Sequence, residues 1–210
     1  MNKIFLAILF SVALAFQSKG QISIGAEVSP TFSNILTDKD YLKRDYVFSV
    51  NYGIRANYET KLFQYSIGVF HLKQGGKYEI ERTSPTQPDG TGEIVDVYDW
   101  TKSIMVPVNF DVFLLKKENT KLYTGLGFYS GYIYSQERDF DGDPFDFEMF
   151  NDFYFGLNFG VGLKQQLNNS LGLTFRPNVL YQLSGSKKEL VADFNMMSFL
   201  LDIGIYYTIP

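Results

Sequence analysis

The sequence predicts an all-β fold, an eight-stranded antiparallel up-and-down transmembrane β-barrel. Three observations predict it. Apolar and polar residues alternate through eight segments, short turns alternate with long loops between those segments, and the chain begins like an exported protein. The 210 residues are enough for one domain, and we expect residues 21–210 to form the barrel.

The first twenty residues are typical of a secretory signal peptide. Lys3 gives the N-terminal region a positive charge, and residues 4–16 form an apolar run that only one serine interrupts. A run of about a dozen residues is too short to span a bilayer as an ordinary helix and suits the central region of a signal peptide. Because Ser18 and Gly20 supply the small residues near the cut, we expect cleavage before Gln21. A retained membrane anchor is the alternative.

The composition excludes several classes of site and partner. Without cysteine, the chain has no disulfide framework and no thiolate metal site. A formal net charge of -4 argues against nucleic acid as a partner, because nucleic-acid binders usually carry a basic face.

The first four segments show an alternation with a period of two, which predicts strands with two different faces. In the first, Ile22, Ile24, Ala26 and Val28 alternate with Ser23, Gly25, Glu27 and Ser29. The second, third and fourth segments, residues 46–58, 63–69 and 100–112, repeat the pattern.

The last four segments continue the pattern at residues 122–134, 152–164, 171–182 and 198–208. The sixth is the clearest, because Phe153, Phe155, Leu157 and Phe159 alternate with small or polar residues. Pro107 and Pro177 lie within the fourth and seventh segments. Since proline has no N–H to donate to a ladder, we expect a bulge or a local break at each.

The polar face of the segments is rich in glycine and carries isolated charges of both signs. A soluble barrel would point its apolar face inward, whereas a narrow membrane barrel needs small residues and paired charges in its lumen. We therefore predict a lumenal charge network that fills the barrel. Its members are Glu27, Arg55, Asp111, Asp152, Lys164, Arg176 and Asp202.

The connections favour the membrane barrel. Those after the second, fourth and sixth segments are short, at residues 59–61, 116–120 and 166–170. The others are long, at residues 31–45, 74–98, 136–150 and 184–196. This alternation is typical of the outer membrane of Gram-negative bacteria, with turns in the periplasm and loops outside. We expect a periplasmic N-terminus, and as partners the lipid bilayer and the barrel assembly machinery.

Aromatic residues near the segment ends predict two girdles at headgroup depth. The periplasmic girdle would contain Tyr58, Phe63, Tyr65, Tyr123, Tyr206 and Tyr207. The outer girdle would contain Tyr46, Phe48, Trp100, Tyr132, Tyr134 and Phe153.

Three segments resemble the PorT-like outer-membrane barrel family of Bacteroidota: Asp152–Gly162, Ser103–Asn109 and the glycine-rich Tyr123–Gly131. The resemblance covers nearly the whole mature chain, but its motifs are short. It implies an eight-stranded barrel in the outer membrane, and a member of the family takes part in protein secretion and gliding. This chain departs from the pattern at its end, Tyr207-Thr-Ile-Pro210, where such barrels usually end on an aromatic residue.

The sequence offers little for catalysis, and we expect no enzyme, no cofactor and no metal. His71 is the only histidine and falls on the outward face, where a lone histidine is typically interfacial. Asp139, Asp141 and Asp143 imitate the start of a calcium loop, but the glycine falls at the wrong place. An acidic, solvated loop tip is the simpler interpretation.

Two classes of function remain open. In the first, the loops at residues 74–98 and 136–150 contact a protein partner, for example in secretion or surface machinery. In the second, the barrel binds a small ligand or forms a narrow pore. We expect the 136–150 loop to project as a hairpin that contacts a partner or cations. The contact residues would be Asp139, Asp141, Asp143, Phe145 and Phe147, with Gln136, Arg138 and Met149 also facing outward.

Overall fold

The computed structural model describes residues 20–37, 44–82, 92–184 and 194–209. Apart from Gly20, the expected signal peptide lies outside the described residues. These residues contain nine strands: β1 (Gln21–Thr37), β2 (Val47–Glu59), β3 (Phe63–Glu81), β4 (Ile94–Lys116), β5 (Thr120–Phe140), β6 (Asp143–Asp146), β7 (Phe153–Gln166), β8 (Leu171–Gln182) and β9 (Phe194–Ile209).

Eight of these strands close into a ring. Each strand pairs antiparallel with its neighbour in the order β4, β3, β2, β1, β9, β8, β7, β5, and β4 pairs with β5 to close the circle. The short β6 pairs with β5 above the ring, as the return strand of a hairpin. The predicted eight-stranded antiparallel barrel is confirmed.

The barrel is apolar outside and polar inside, as the alternation predicts. In β7, Phe153 is 75% exposed and Phe155, Leu157 and Phe159 also face outward, while Asn158 is buried in the lumen. The same alternation runs through every strand of the ring. Among the described residues, no helix is long and apolar enough to cross a membrane.

The strands extend into the expected long loops. The segment 74–98 belongs mostly to β3 and β4, whose ladder continues to the pair Glu81–Ile94, and residues 31–37 belong to β1. The outward-facing apolar side chains, such as Phe155 and Phe159, form a band around the barrel that we call the apolar belt. The expected loops were too long because the ladders continue past this belt into a region where both faces of a strand can be polar. We call residues 74–81, 94–101 and 136–140, together with β6, the wing.

Prolines interrupt the ladder at three places without shifting its register. The β3–β4 pairing skips from Ile67–Val108 to Phe70–Met105 beside Pro107. The pairings next to Pro177 and Pro30 show the same gap, in β7–β8 and β1–β9. These are local breaks rather than bulges, since the same register resumes on both sides.

Four tyrosines of the lumen lie over glycines on a neighbouring strand. Tyr123 lies over Gly162 and Tyr206 over Gly172, while the other pairs are Tyr129 with Gly156 and Tyr154 with Gly131. Placing Tyr123 and Tyr206 in the periplasmic girdle was therefore wrong. Both are buried, because strand parity turns them inward and the glycines leave room for their rings.

Candidate functional site

A bulge in β5 turns the wing's side chains relative to the barrel below. Lys102 pairs with Ser135 but the next residue, Ser103, pairs with Ile133, so Tyr134 is the extra residue. Above the bulge, Gln136 and Arg138 face the barrel axis and Glu137 faces outward to Lys102. The expectation that Gln136 and Arg138 face outward was wrong, because the bulge reverses the parity of the strand.

Arg138 joins a buried cluster that covers the upper end of the lumen, by which we mean the end that carries the wing. The Asp99 carboxylate accepts hydrogen bonds from Arg138 Nε at 2.6 Å and from Arg44 Nη2 at 2.8 Å. The Arg138 guanidinium carbon lies 3.5 Å from the ring centroid of Phe147, and that of Arg44 lies 4.8 Å from the ring centroid of Tyr78. Burial and the Asp99 carboxylate raise the pKa of Tyr78. We call these five residues the rim cluster.

The chain after β6 folds back into the barrel beneath the rim cluster. The Gln136 side chain holds it, since Oε1 accepts from the N–H groups of Met149 and Phe150 and Nε2 donates to the Phe150 carbonyl. Met149 and Phe150 are almost completely buried. Met149 therefore does not face outward as expected, because strand pairing ends at Asp146 and the outward parity ends with it.

Met149 and Phe150 belong to an apolar cluster that fills the upper lumen. Its other members are Ile35, Phe70, Leu72, Met105, Tyr129, Ile133, Tyr154, Leu180, Phe194, Met196 and Leu200. The polarity of the interior thus changes along the barrel axis, from charged and polar below to apolar above. We call this cluster the apolar plug.

The lower lumen holds most of the predicted charge network. Arg55 donates to both Glu27 oxygens at 3.0 Å and to Asp202 at 3.0 Å. Across the lumen, Arg176 Nη2 donates to Asp111 at 3.2 Å. Each of these side chains is buried.

The sequence places Lys164 in the lumen correctly but misses its partner Glu59 and wrongly includes Asp152. Lys164 pairs with Glu59, which also binds Lys121. The parity of Arg55 and Asn57 in β2 was the signal that could have placed Glu59 in the lumen. Asp152 lies outside the network and is exposed, because it precedes the first residue of β7 and is not held by the barrel wall.

The expected contact residues are divided between the tip and the interior of the hairpin. Asp141 and Gly142 form its turn with positive φ angles of 56° and 90°, and the Gly142 N–H donates to Asp139 Oδ1 at 2.9 Å. Asp143 and Phe145 are exposed, whereas Phe147 turns inward to Arg138.

Asp139 and Asp141 of the hairpin line an open cleft of about 510 Å³ together with Glu79, Glu93 and Asp96 of the β3–β4 hairpin. Asp141 pairs with Arg82 there. Among the described residues, no three histidine, cysteine, aspartate or glutamate side chains are gathered in a way that could hold a metal ion. Asp139 and Asp141 form part of an acidic surface at this cleft.

The outer face at the base of the wing carries an aromatic and basic band. His71 stacks on Tyr52 with ring centroids 4.9 Å apart and shares a 2.6 Å hydrogen bond with Tyr134. Lys73 Nζ lies 4.1 Å from the centroid of the Trp100 ring. These neighbours fit an interfacial role for His71, because the ring is engaged by tyrosines rather than by a nucleophile and an acid.

Comparisons with known proteins identify the fold. No family model and no curated protein matches the chain. Neisserial surface protein A is similar in structure, with a TM-score of 0.54, 11% identity, and coverage of 89% of this chain and 96% of that one. Outer membrane protein OprG from Pseudomonas aeruginosa aligns with a TM-score of 0.47 and 15% identity, over 91% and 97% of the two chains. The likeness to neisserial surface protein A, at 11% identity, shows the fold alone.

Proposed function

We propose that this chain is a non-enzymatic integral outer-membrane barrel with a closed lumen, which acts through the surface of its wing. The observation that carries the proposal is the inverted polarity of the closed ring. Large apolar side chains cover the outside while paired charges and amides lie inside. A lipid bilayer accommodates such a surface, since the closed ring satisfies its backbone groups internally.

The filled lumen favours a contact function over transport. A solute would have to displace the rim cluster, the apolar plug and the ion pairs in turn. An eight-stranded barrel is only wide enough for its own side chains, and here aromatic and charged side chains from many strands occupy that space. The narrow-pore alternative therefore has little support from the geometry.

The wing supports a role in contacting another protein. Phe145 is 50% exposed at the hairpin, next to the acidic cleft between the β3–β4 and β5–β6 hairpins. Exposed aromatic residues beside charge are typical of contact surfaces, and the carboxylates favour a basic partner surface. With the PorT-like resemblance, we propose secretion or surface machinery as the setting.

Conductance distinguishes the contact barrel from the pore. The purified chain is inserted into planar bilayers, and a general porin serves as the positive control for insertion and recording. We expect no steady channel from this chain. A stable ohmic conductance would contradict the closed lumen and support the pore instead.

Site-specific photo-crosslinking in cells tests the contact surface. A photoreactive residue replaces Phe145 in one strain and Leu167, an exposed turn residue at the opposite end of the barrel, in the control strain. We expect a discrete crosslinked protein from position 145, lost on replacing Asp141 and Asp143 with asparagine. The same product from both positions, or none from position 145, would argue against the wing as the working surface.

A further inference from the structure

Two neighbouring rows of the lower lumen bring together polar atoms that lack a partner among the described residues. The first row follows the ladder from Asn57 to Ser66, Asn109, Gly127 and Asn158. We call it the amide row. The carboxamide oxygens of its three asparagines are buried and accept no hydrogen bond from the described part of the chain.

The second row lies two residues further down the strands, about 7 Å away. It runs from Gln64 to Asp111, Gly125 and Gly160. Gln64 Nε2 donates to Asp111 at 2.9 Å, but Gln64 Oε1 is another buried acceptor without a partner in the described chain.

Arg176 reaches the same space from β8. Its Nη2 donates to Asp111, whereas Nε and Nη1 have no acceptor among the described residues. Nε lies beside Gly160, 2.8 Å from the point that a Cβ there would occupy. Arg176 is 2% exposed, and the three asparagines and Gln64 are at most 5% exposed, so bulk solvent does not satisfy them.

The unpartnered donors of Arg176 lie near unpartnered amide oxygens, and this combination determines which kind of ligand the site can bind. An anion would satisfy the guanidinium but would face four carbonyl oxygens and the Asp111 carboxylate. A cation would meet the oxygens but would lie against Arg176. Water both donates and accepts, and buried waters typically make about three hydrogen bonds to otherwise unsatisfied groups.

We propose that the two rows and Arg176 form a binding site for a cluster of ordered water molecules inside the barrel. The waters bridge the asparagine and glutamine oxygens to Arg176 Nε and Nη1. Asn109 Oδ1 and Asp111 Oδ1 lie over the glycines at positions 127 and 125, each 2.2 Å from the point that a Cβ there would occupy, so a side chain at either glycine would displace these oxygens. The site lies below the apolar plug.

Nuclear Overhauser spectroscopy of the arginine side chains tests the site in the full-length mature chain in lipid-like micelles. We expect the Arg176 Nε–H proton to show a cross-peak to water with the sign of a long-lived bound molecule. The matched control is Arg55 Nε–H, which is equally buried but donates to Glu27, and it should show no such peak. The Arg176→Gln variant identifies the resonance by its loss.

The alternatives give different results in the same sample. If Arg176 Nε–H shows cross-peaks to protein protons only, the site is dry and the proposal is overturned. If the water peak is missing and the Arg176 resonance shifts on titration with chloride or sulfate, an anion occupies the site and the proposal is equally overturned. An unshifted resonance with a water cross-peak supports it.

Discussion

The ring of Tyr123 lies so close to Gly162 that a Cβ at position 162 would be 2.0 Å from the tyrosine Cζ. The two residues are neighbours across the β5–β7 ladder. The ring therefore covers the glycine backbone and reaches Thr174, to which its hydroxyl is hydrogen-bonded at 3.4 Å. The fit allows a large aromatic side chain to fill a narrow lumen.

Gly162→Ala should destabilise the barrel by about 1–3 kcal/mol, the usual cost of overpacking a filled interior. Urea unfolding in micelles, followed by tryptophan fluorescence, measures the loss. The double variant Gly162→Ala with Tyr123→Ala tests the cause, since removing the ring should abolish the extra penalty of the alanine. A penalty that persists without the ring would place the strain in the backbone instead.

Arginine on the apolar belt should block assembly, whereas arginine on the wing should not. Phe159 lies on the apolar belt near the middle of β7, where replacement by arginine costs roughly 2–4 kcal/mol of free energy in the bilayer. Phe145→Arg serves as the control, because Phe145 lies on the hairpin above the ring. The gel shift between unheated and boiled samples reports folding. Equal assembly of both variants would be inconsistent with a membrane position for the belt.

Removing Arg55 should destabilise the lower lumen strongly. Arg55→Met leaves the Glu27 and Asp202 carboxylates buried without their shared cation, and breaking a buried pair in this way costs about 3–5 kcal/mol. The triple variant with Glu27→Gln and Asp202→Asn should recover much of the loss in urea unfolding. Failure of the rescue would show that Arg55 acts through packing on Phe70 rather than through charge.

The wing should loosen in acid. Lys102 Nζ and Ser135 Oγ donate to Glu137, and these hydrogen bonds lower the pKa of its carboxyl. Because the folded pKa lies below the ordinary value of 4.5, the carboxylate stabilises the wing above that pH and ceases to do so as the pH falls through the folded pKa. Hydrogen-exchange protection of the β4–β5 ladder near Lys102 should therefore fall as the pH is lowered below 4.5 and the carboxyl takes up its proton. The Glu137→Gln variant should show no such step.

The sequence predicts the ring well because its faces repeat with a strict period of two. Leu157 and Asn158 take opposite faces as expected, and Glu27, Arg55 and Asp202 meet although they are distant in sequence. The alternation assigns each residue to one face of its strand. Closure of the antiparallel ring then brings the residues of the lumenal faces together. Parity also places Tyr123 inside, although the aromatic-girdle argument assigned it outside.

The alternation of apolar and polar residues does not predict how the side chains of the wing and the apolar plug are arranged. No residue type marks the bulge at Tyr134, yet it decides that Arg138 faces Asp99 rather than solvent. Likewise, the inward turn of Met149 and Phe150 depends on the Gln136 side chain, a contact that only the folded chain brings together. Within the 136–150 hairpin, the sequence therefore assigned several side chains to the wrong face.

The ladder of the β3–β4 hairpin also bears on how this surface can change over evolutionary time. Its upper pairs, such as Ile80 with Val95, join only the two strands of the hairpin and take no part in closing the ring. Loss or gain of two residues on each strand would move the tip by about 7 Å while every side chain below kept its face. The exterior can therefore diverge in length and chemistry between relatives while the barrel beneath stays the same.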